Sequence, residues 1–160
     1  MTRRPSETAV QLDRLAALCR GHGLPLTVQR RAILAVLAGR DDHPTADDVF
    51  AAVQQRLPGV SRTTVYRVLD TLVGIGVACR VAHPGAAVRF DAKVHRHHHL
   101  VCRRCGRVRD LEDHALNTLR LPRVRRGGFE VDDYSIHFMG LCADCRSGGR
   151  GSHVRKKEVS

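Results

Sequence analysis

Along the first half of the chain, apolar residues recur every three or four positions, and each run stops at glycine or proline. Over residues 8–20, Leu12, Leu15, Leu18 and Cys19 fall on one helical face, ended by Gly21 and Gly23. Thr27 is placed to cap a second helix that turns Val28, Ile33, Leu34 and Leu37 inward and stops at Gly39. A third begins at Thr45, where Thr45-x-x-Asp48 has the form of a capping box. Its buried stripe is Ala46, Val49, Phe50, Val53 and Leu57, and Pro58-Gly59 closes it. Ser61 caps a fourth helix with Val65, Val68, Leu69 and Leu72 at i, i+3, i+4, i+7. The period then shortens: residues 77–81 and 87–91 read as two strands joined by His83-Pro84-Gly85. Helices followed by a hairpin predict a winged helix-turn-helix.

The second half has another character. Residues 98–101 and 107–110 read as paired strands flanking a C-x-x-C turn. Residues 111–121 read as a helix, with Leu111, Ala115, Leu116 and Leu119 inward and Pro122 after it. Residues 129–141 contain a strand in which Tyr134, Ile136 and Phe138 alternate. The fold class is therefore α+β, with a DNA-binding domain over 1–90, a smaller α/β domain over 91–146 and a basic, disordered tail over 147–160.

Charge sharpens the first domain. The 160 residues carry a formal +11, of which the tail from Arg146 holds +4, so the excess survives without the tail. An anionic partner is expected, and nucleic acid is the default. Arg62, Thr63, Tyr66 and Arg67 occupy the polar face of the fourth helix in its first turns, where a recognition helix meets base edges and phosphates of double-stranded DNA. The bland alternative is an all-α bundle with one cationic amphipathic helix; helix order and charge together favour DNA. No apolar run is long enough to span a membrane, and the N-terminus lacks a signal-peptide core. A cytoplasmic protein without a membrane partner is expected, in a compartment where paired cysteines bind metal more often than they form disulfides.

The densest chemistry lies in residues 89–105, RFDAKVHRHHHLVCRRC. In an extended strand His95, His97 and His99 share one face. Cys102-x-x-Cys105 and Cys142-x-x-Cys145, 36 residues apart, form two thiolate pairs. Four thiolates suit closed, tetrahedral structural zinc. Imidazole and carboxylate donors such as Asp91 suit iron(II), manganese(II) or zinc. A solvated basic hairpin or a tag-like run is the plain alternative, but a tag sits at a terminus and does not run into C-x-x-C. Cys19 and Cys79, isolated, are expected as small buried hydrophobes. His95 and His98 are read as solvated, the alternative being a second exchangeable metal held with His114 or His137.

Gln29-Arg30-Arg31, His43-Pro44-Thr45-Ala46-Asp47, Thr64-Val65-Tyr66-Arg67, Arg89-Phe90-Asp91, His97-x-His99-x-x-Cys102-x-x-Cys105 and Cys142-x-x-Cys145 resemble the ferric uptake regulator (Fur) family, in order over residues 10–146. Val28 departs from the proline often found before Gln-Arg there. The resemblance implies a homodimeric, metal-dependent repressor: a winged helix, then an α/β dimerisation domain, acting on a palindromic operator. It implies a regulatory iron or manganese site of His43, Asp91, His97, His99 and Asp110, and structural zinc on Cys102, Cys105, Cys142 and Cys145. It places Tyr66 and Arg67 on the DNA-contacting helix. Asp110, where iron-uptake members usually have glutamate, resembles the peroxide-sensing, PerR-like branch. That branch implies oxidation of His43 or His97 as the signal and control of oxidative-defence genes.

An iron-uptake repressor responding to iron level alone is the nearest alternative reading. A metallohydrolase built on the His/Asp cluster would need a general base and a substrate pocket; there is no H-E-x-x-H and no carboxylate assigned as base, so an enzyme is not expected. No small-molecule partner beyond metal and peroxide is implied. A zinc-ribbon interaction module that ignores DNA leaves the Tyr66-Arg67 helix unexplained.

Overall fold

Hydroxyl caps set the starts of three helices. Thr27 accepts from the Arg30 N–H ahead of α2 (Val28–Ala38), and Ser61 from Thr64 ahead of α4 (Arg62–Gly74). Thr45 opens α3 (Ala46–Gln54) with the predicted box: its hydroxyl accepts from the Asp48 N–H while the Asp48 carboxylate accepts from the Thr45 N–H. They follow α1 (Pro5–Gly21). The computed structural model describes residues 4–82, 87–93, 95–121, 131 and 133–148. The hairpin turn His83-Pro84-Gly85, Pro122, Phe129 and the tail from residue 149 lie outside them.

The chain divides into two units, Met1–Val94 and His95–Ser160. In the first, Leu15, Cys19, Ile33, Leu34, Val49, Val53, Val65, Leu69 and Leu72 are fully buried in one core joining α1 to α4. The predicted inward faces hold except at Val28, which is 67% exposed because it sits at the first position of α2, turned off the core. After α4, β1 (Cys79–Val81) and β2 (Arg89–Asp91) pair antiparallel, completing a winged helix. The division falls after Val94 rather than after Phe90. Asp91 is still in the hairpin, opposite Cys79, and Ala92 is buried in the core with its carbonyl accepting from Gln11 Nε2 at 2.8 Å. Cys19 is buried as expected; Cys79 is exposed, because its place at the start of an edge hairpin leaves it outside the core.

The second unit is a three-stranded sheet in the order β4–β3–β5. Strand β3 (His98–Cys102) runs antiparallel to β4 (Val108–Leu111) and parallel to β5 (His137–Gly140). Leu111 belongs to β4, paired with His98, and not to the predicted 111–121 helix. That helix shrinks to one turn, α5 (His114–Asn117), capped by Asp113 and ended where the Thr118 hydroxyl turns back onto the His114 carbonyl. Leu119 is exposed as a result. The last strand begins only at His137, and Phe138 faces solvent beside Leu100, its register partner. A last turn, α6 (Ala143–Arg146), follows Cys142. Among the described residues no helix is long and apolar enough to cross a membrane.

Leu34 is fully buried among α1, α2 and α4 residues, so Leu34→Ala is expected to destabilise the first unit by about 2–5 kcal/mol through lost transfer energy and an unfilled cavity. Urea unfolding followed by helix signal measures it; a loss under about 1 kcal/mol would show that the core collapses around the gap.

Candidate metal centres and nucleic-acid face

The four thiols come together in the second unit. Cys102 ends β3, and a turn brings Cys105 back under it. The Gly106 N–H donates to the Cys102 carbonyl at 2.9 Å with φ +67, a left-handed geometry that favours glycine. Parallel pairing sets Cys102 against Gly140, so Cys142 and Cys145 arrive just past the end of β5. One sulfur from each cysteine lies within 4.8 Å of all the others, and Cys105 Sγ to Cys142 Sγ is 3.7 Å. Arg104 ties the knuckles by donating to the Cys145 carbonyl at 2.9 Å, as Arg107 does to the Asp144 carboxylate at 2.6 Å.

Electrostatics in this cluster call for a cation. Burial pushes the Cys102 thiol up, but N–H groups of Cys142, Cys105 and Arg104 aimed at its sulfur outweigh that and lower it to about 6. Burial, then the surrounding thiols of Cys142, Cys105 and Cys102, push Cys145 up to about 12, and burial also raises Cys105. Cys102 ionises easily, while Cys105 and Cys145 resist. A dication at their centre removes that conflict, and a closed set of four thiolates fits zinc with no open position.

The nitrogen and oxygen donors fall into two groups, one in each unit. In the first unit, the segment before α3 lies along β2: Phe90 N–H donates to the Pro44 carbonyl at 2.9 Å, Arg89 donates to the His43 carbonyl at 2.8 Å, and Thr45 bridges Arg89. This brings His43 Nε2 to 3.6 Å from Asp91 Oδ2, both side chains buried. Asp91 Oδ1 accepts from the Lys93 N–H at 2.9 Å, which orients the carboxylate. His43 has φ +52, a conformation that non-glycine residues seldom adopt and that clusters at functional sites.

In the second unit, His97, His99 and Asp110 each place one donor atom within 4.8 Å of the others. His99 and Asp110 are register partners on β3 and β4. His97 Nδ1 donates to the His95 carbonyl at 2.9 Å, which fixes the tautomer and leaves Nε2 as the ligand nitrogen, 3.6 Å from Asp110 Oδ1. The rings of His95, His97 and His99 follow one another at 5.5 and 4.8 Å, as expected for side chains two apart on one face. His98, read as solvated, is fully buried: on the opposite face it stacks against Tyr134 at 5.8 Å and accepts from the Ile136 N–H. Its role is to pack β5 onto β3. His95 is exposed, paired with Glu112 at 3.1 Å. His137 sits edge-on to His99 at 5.2 Å, and His114 is exposed in α5. Neither the His95 and His98 pair nor His114 and His137 join a metal-holding group of three or more among the described residues.

On α4, Arg62, Thr63, Tyr66 and Arg67 are all exposed, away from the buried Val65, Leu69 and Leu72. Arg62 and Tyr66 are not free-standing. Both donate to Asp47 Oδ1, Tyr66 from 3.1 Å, and the Arg62 guanidinium lies 5.0 Å over the Phe50 ring. Asp47 is fifteen and nineteen residues away in sequence, a separation that periodicity does not read.

The model of the ferric uptake regulator family matches residues 21–139. The peroxide-responsive repressor PerR of Staphylococcus aureus is 30% identical over 136 residues, covering 85% of this chain and 92% of that protein. The solved ferric uptake regulator of Pseudomonas aeruginosa with manganese superposes with a TM-score of 0.65 at 29% identity, over 80% of this chain and 97% of that one. That of Francisella tularensis with iron gives 0.63 at 27%, over 78% and 96%.

Replacing Cys142 by serine is expected to remove the thiol-bound metal and unfold the second unit, lowering its melting temperature and abolishing dimerisation. Metal analysis and sedimentation measure both; a stable, metal-free dimer would refute the assignment.

Proposed function

The chain belongs to the ferric uptake regulator family, and from that premise we propose that it is a peroxide-responsive repressor. It is a metal-dependent DNA-binding regulator, with zinc held by the four cysteines. The finer reading gives the exchangeable iron(II) or manganese(II) to His43, Asp91, His97, His99 and Asp110, serving one ion. The observation that carries it is the separation of donor types: sulfur in one closed set, and imidazole with short carboxylate in each of the other two groups, His43 with Asp91 and His97 and His99 with Asp110. The PerR relative and the aspartate at position 110 support the peroxide branch. Control of oxidative-defence genes follows from that reading.

Each ligand has a job before any chemistry. Asp91 and His43 are fixed by β2, and His97 presents Nε2 because its Nδ1–H is committed to a carbonyl. An iron(II) held by these residues would supply the one-electron chemistry that activates peroxide, and would be regained as iron(II) overall. The imidazole of His43 or His97 is the net two-electron reductant: one peroxide oxygen is inserted into a ring C–H, the other leaves as water, and the altered ring is a poorer donor. Ligands drawn from both units make metal binding a link between reading DNA and holding the dimer, and losing one ligand breaks that link. Leu100, Phe138 and Leu141, exposed together on the second unit, are the apolar surface that a second copy buries. Two-fold symmetry implies a palindromic operator, read by Arg62, Thr63, Tyr66 and Arg67 in successive major grooves. The family's regulators are DNA-binding proteins and not enzymes, and a cytoplasmic location accords with that.

Operator gel shifts with iron- and manganese-loaded protein, before and after micromolar peroxide, test the reading. The iron form is expected to lose affinity and gain one oxygen at His43 or His97, while the manganese form is spared. An iron form that keeps affinity and mass would leave a repressor responding to iron level alone. Asp110→Glu is expected to blunt the peroxide response; an unchanged response would remove Asp110 as the determinant.

A further inference from the structure

Two adjacent aspartates open α3, and they do different things. Asp48 is spent on the helix itself, closing the capping box with Thr45. Asp47 is not needed for that cap. Its Oδ1 instead accepts from two residues of the next helix, Arg62 and Tyr66, both on the exposed face proposed to meet DNA. The Phe50 ring, one helical turn on from Asp47, supports the same guanidinium from below. A carboxylate on a face that meets a polyanion is unfavourable for binding, unless it does something else there.

We propose that Asp47 is an affinity-limiting residue, an internal stand-in for phosphate that competes with DNA for Arg62 and Tyr66. This inference rests on the DNA-binding reading of α4. An untethered arginine on a recognition helix pairs with any phosphate, releasing a counterion on every sequence alike. Tethered to Asp47, Arg62 is already neutralised and Tyr66 has already placed its proton. A phosphate then offers only the exchange of one anionic oxygen for another. An operator offers more, because base edges such as guanine O6 and N7 accept the guanidinium in two-point geometry and carry a discrimination energy that phosphate lacks. The tether is an exposed ion pair, of the kind whose strength is small enough for a correct site to displace. Its cost falls on all DNA: random sequence leaves the tether closed and forgoes the contact, and an operator spends part of its base-contact energy opening it.

The test uses the full-length, manganese-loaded dimer, a random-sequence duplex, and an operator duplex selected from a random pool by the wild-type protein. Asp47→Asn keeps shape and an acceptor for Tyr66 but loses the charge. It is expected to raise affinity for the random duplex roughly fivefold per DNA-binding domain, the scale of one exposed ion pair. The salt dependence should steepen by about one unit per domain as Arg62 becomes available to phosphate. Operator affinity should rise at least as much, because the operator complex no longer has to break the tether. Asp47→Glu, which retains the charge, should keep the wild-type affinities and slope. Unchanged or weaker random-duplex binding by Asp47→Asn, with an unchanged slope, would overturn the proposal and leave Asp47 a prop that positions Arg62. A wild-type protein that selects no duplex from the pool would instead overturn the DNA-binding reading itself.

Discussion

The first unit depends on one three-residue strand. Strand β2 is paired on one side with β1 and bonded on the other to the segment before α3, through Phe90 to Pro44 and Arg89 to His43. Phe90 points into the core, so the strand cannot slide without exposing it. That pins His43 and Asp91, 48 residues apart in the chain, with Nε2 and Oδ2 3.6 Å from each other. The positive φ of His43 is held in the same way: the residues on either side are anchored, and the backbone between them takes the turn that remains. The wing and the His43–Asp91 pair are therefore one structure. A change to the hairpin is felt at the carboxylate, and a change at the carboxylate is felt in the wing.

The second unit solves a different problem with the same economy. A short parallel pair, β3 with β5, brings the two halves of the cysteine set together although 36 residues separate them. Among the described residues the sheet carries little apolar core of its own: Val101 and Val108 are buried, while Leu100 and Phe138 are exposed. In a unit this small, an ion on the four thiols adds folding energy that burial alone does not supply.

Much of the arrangement was legible from residue order. Helix caps at Thr27, Thr45 and Ser61 are local, side chain to backbone within three residues, and local rules read them correctly. The thiol pairs were legible because spacing limits where a turn can put two sulfurs. What escaped depended on contacts between distant segments. Leu111 has helical spacing to Ala115 but is claimed by pairing with His98, a choice that tertiary structure makes. The burial of His98 needed Tyr134, and the occupation of Arg62 and Tyr66 needed Asp47. In each case the residue type was visible and its partner was not.

Strand β3 carries His99 and Cys102 only three positions apart, about 10 Å along the strand, and the pleat sends their side chains to opposite faces. Imidazole and thiol are thus kept apart by distance and by parity together. A slip of one residue in the pairing of β3 would turn every side chain over, bringing His98 to the Asp110 side and Val101 to the sulfurs. Sorting of donor atoms in this protein is in that sense a property of sheet register: which side chains can meet is decided by how β3 pairs with β4 and β5.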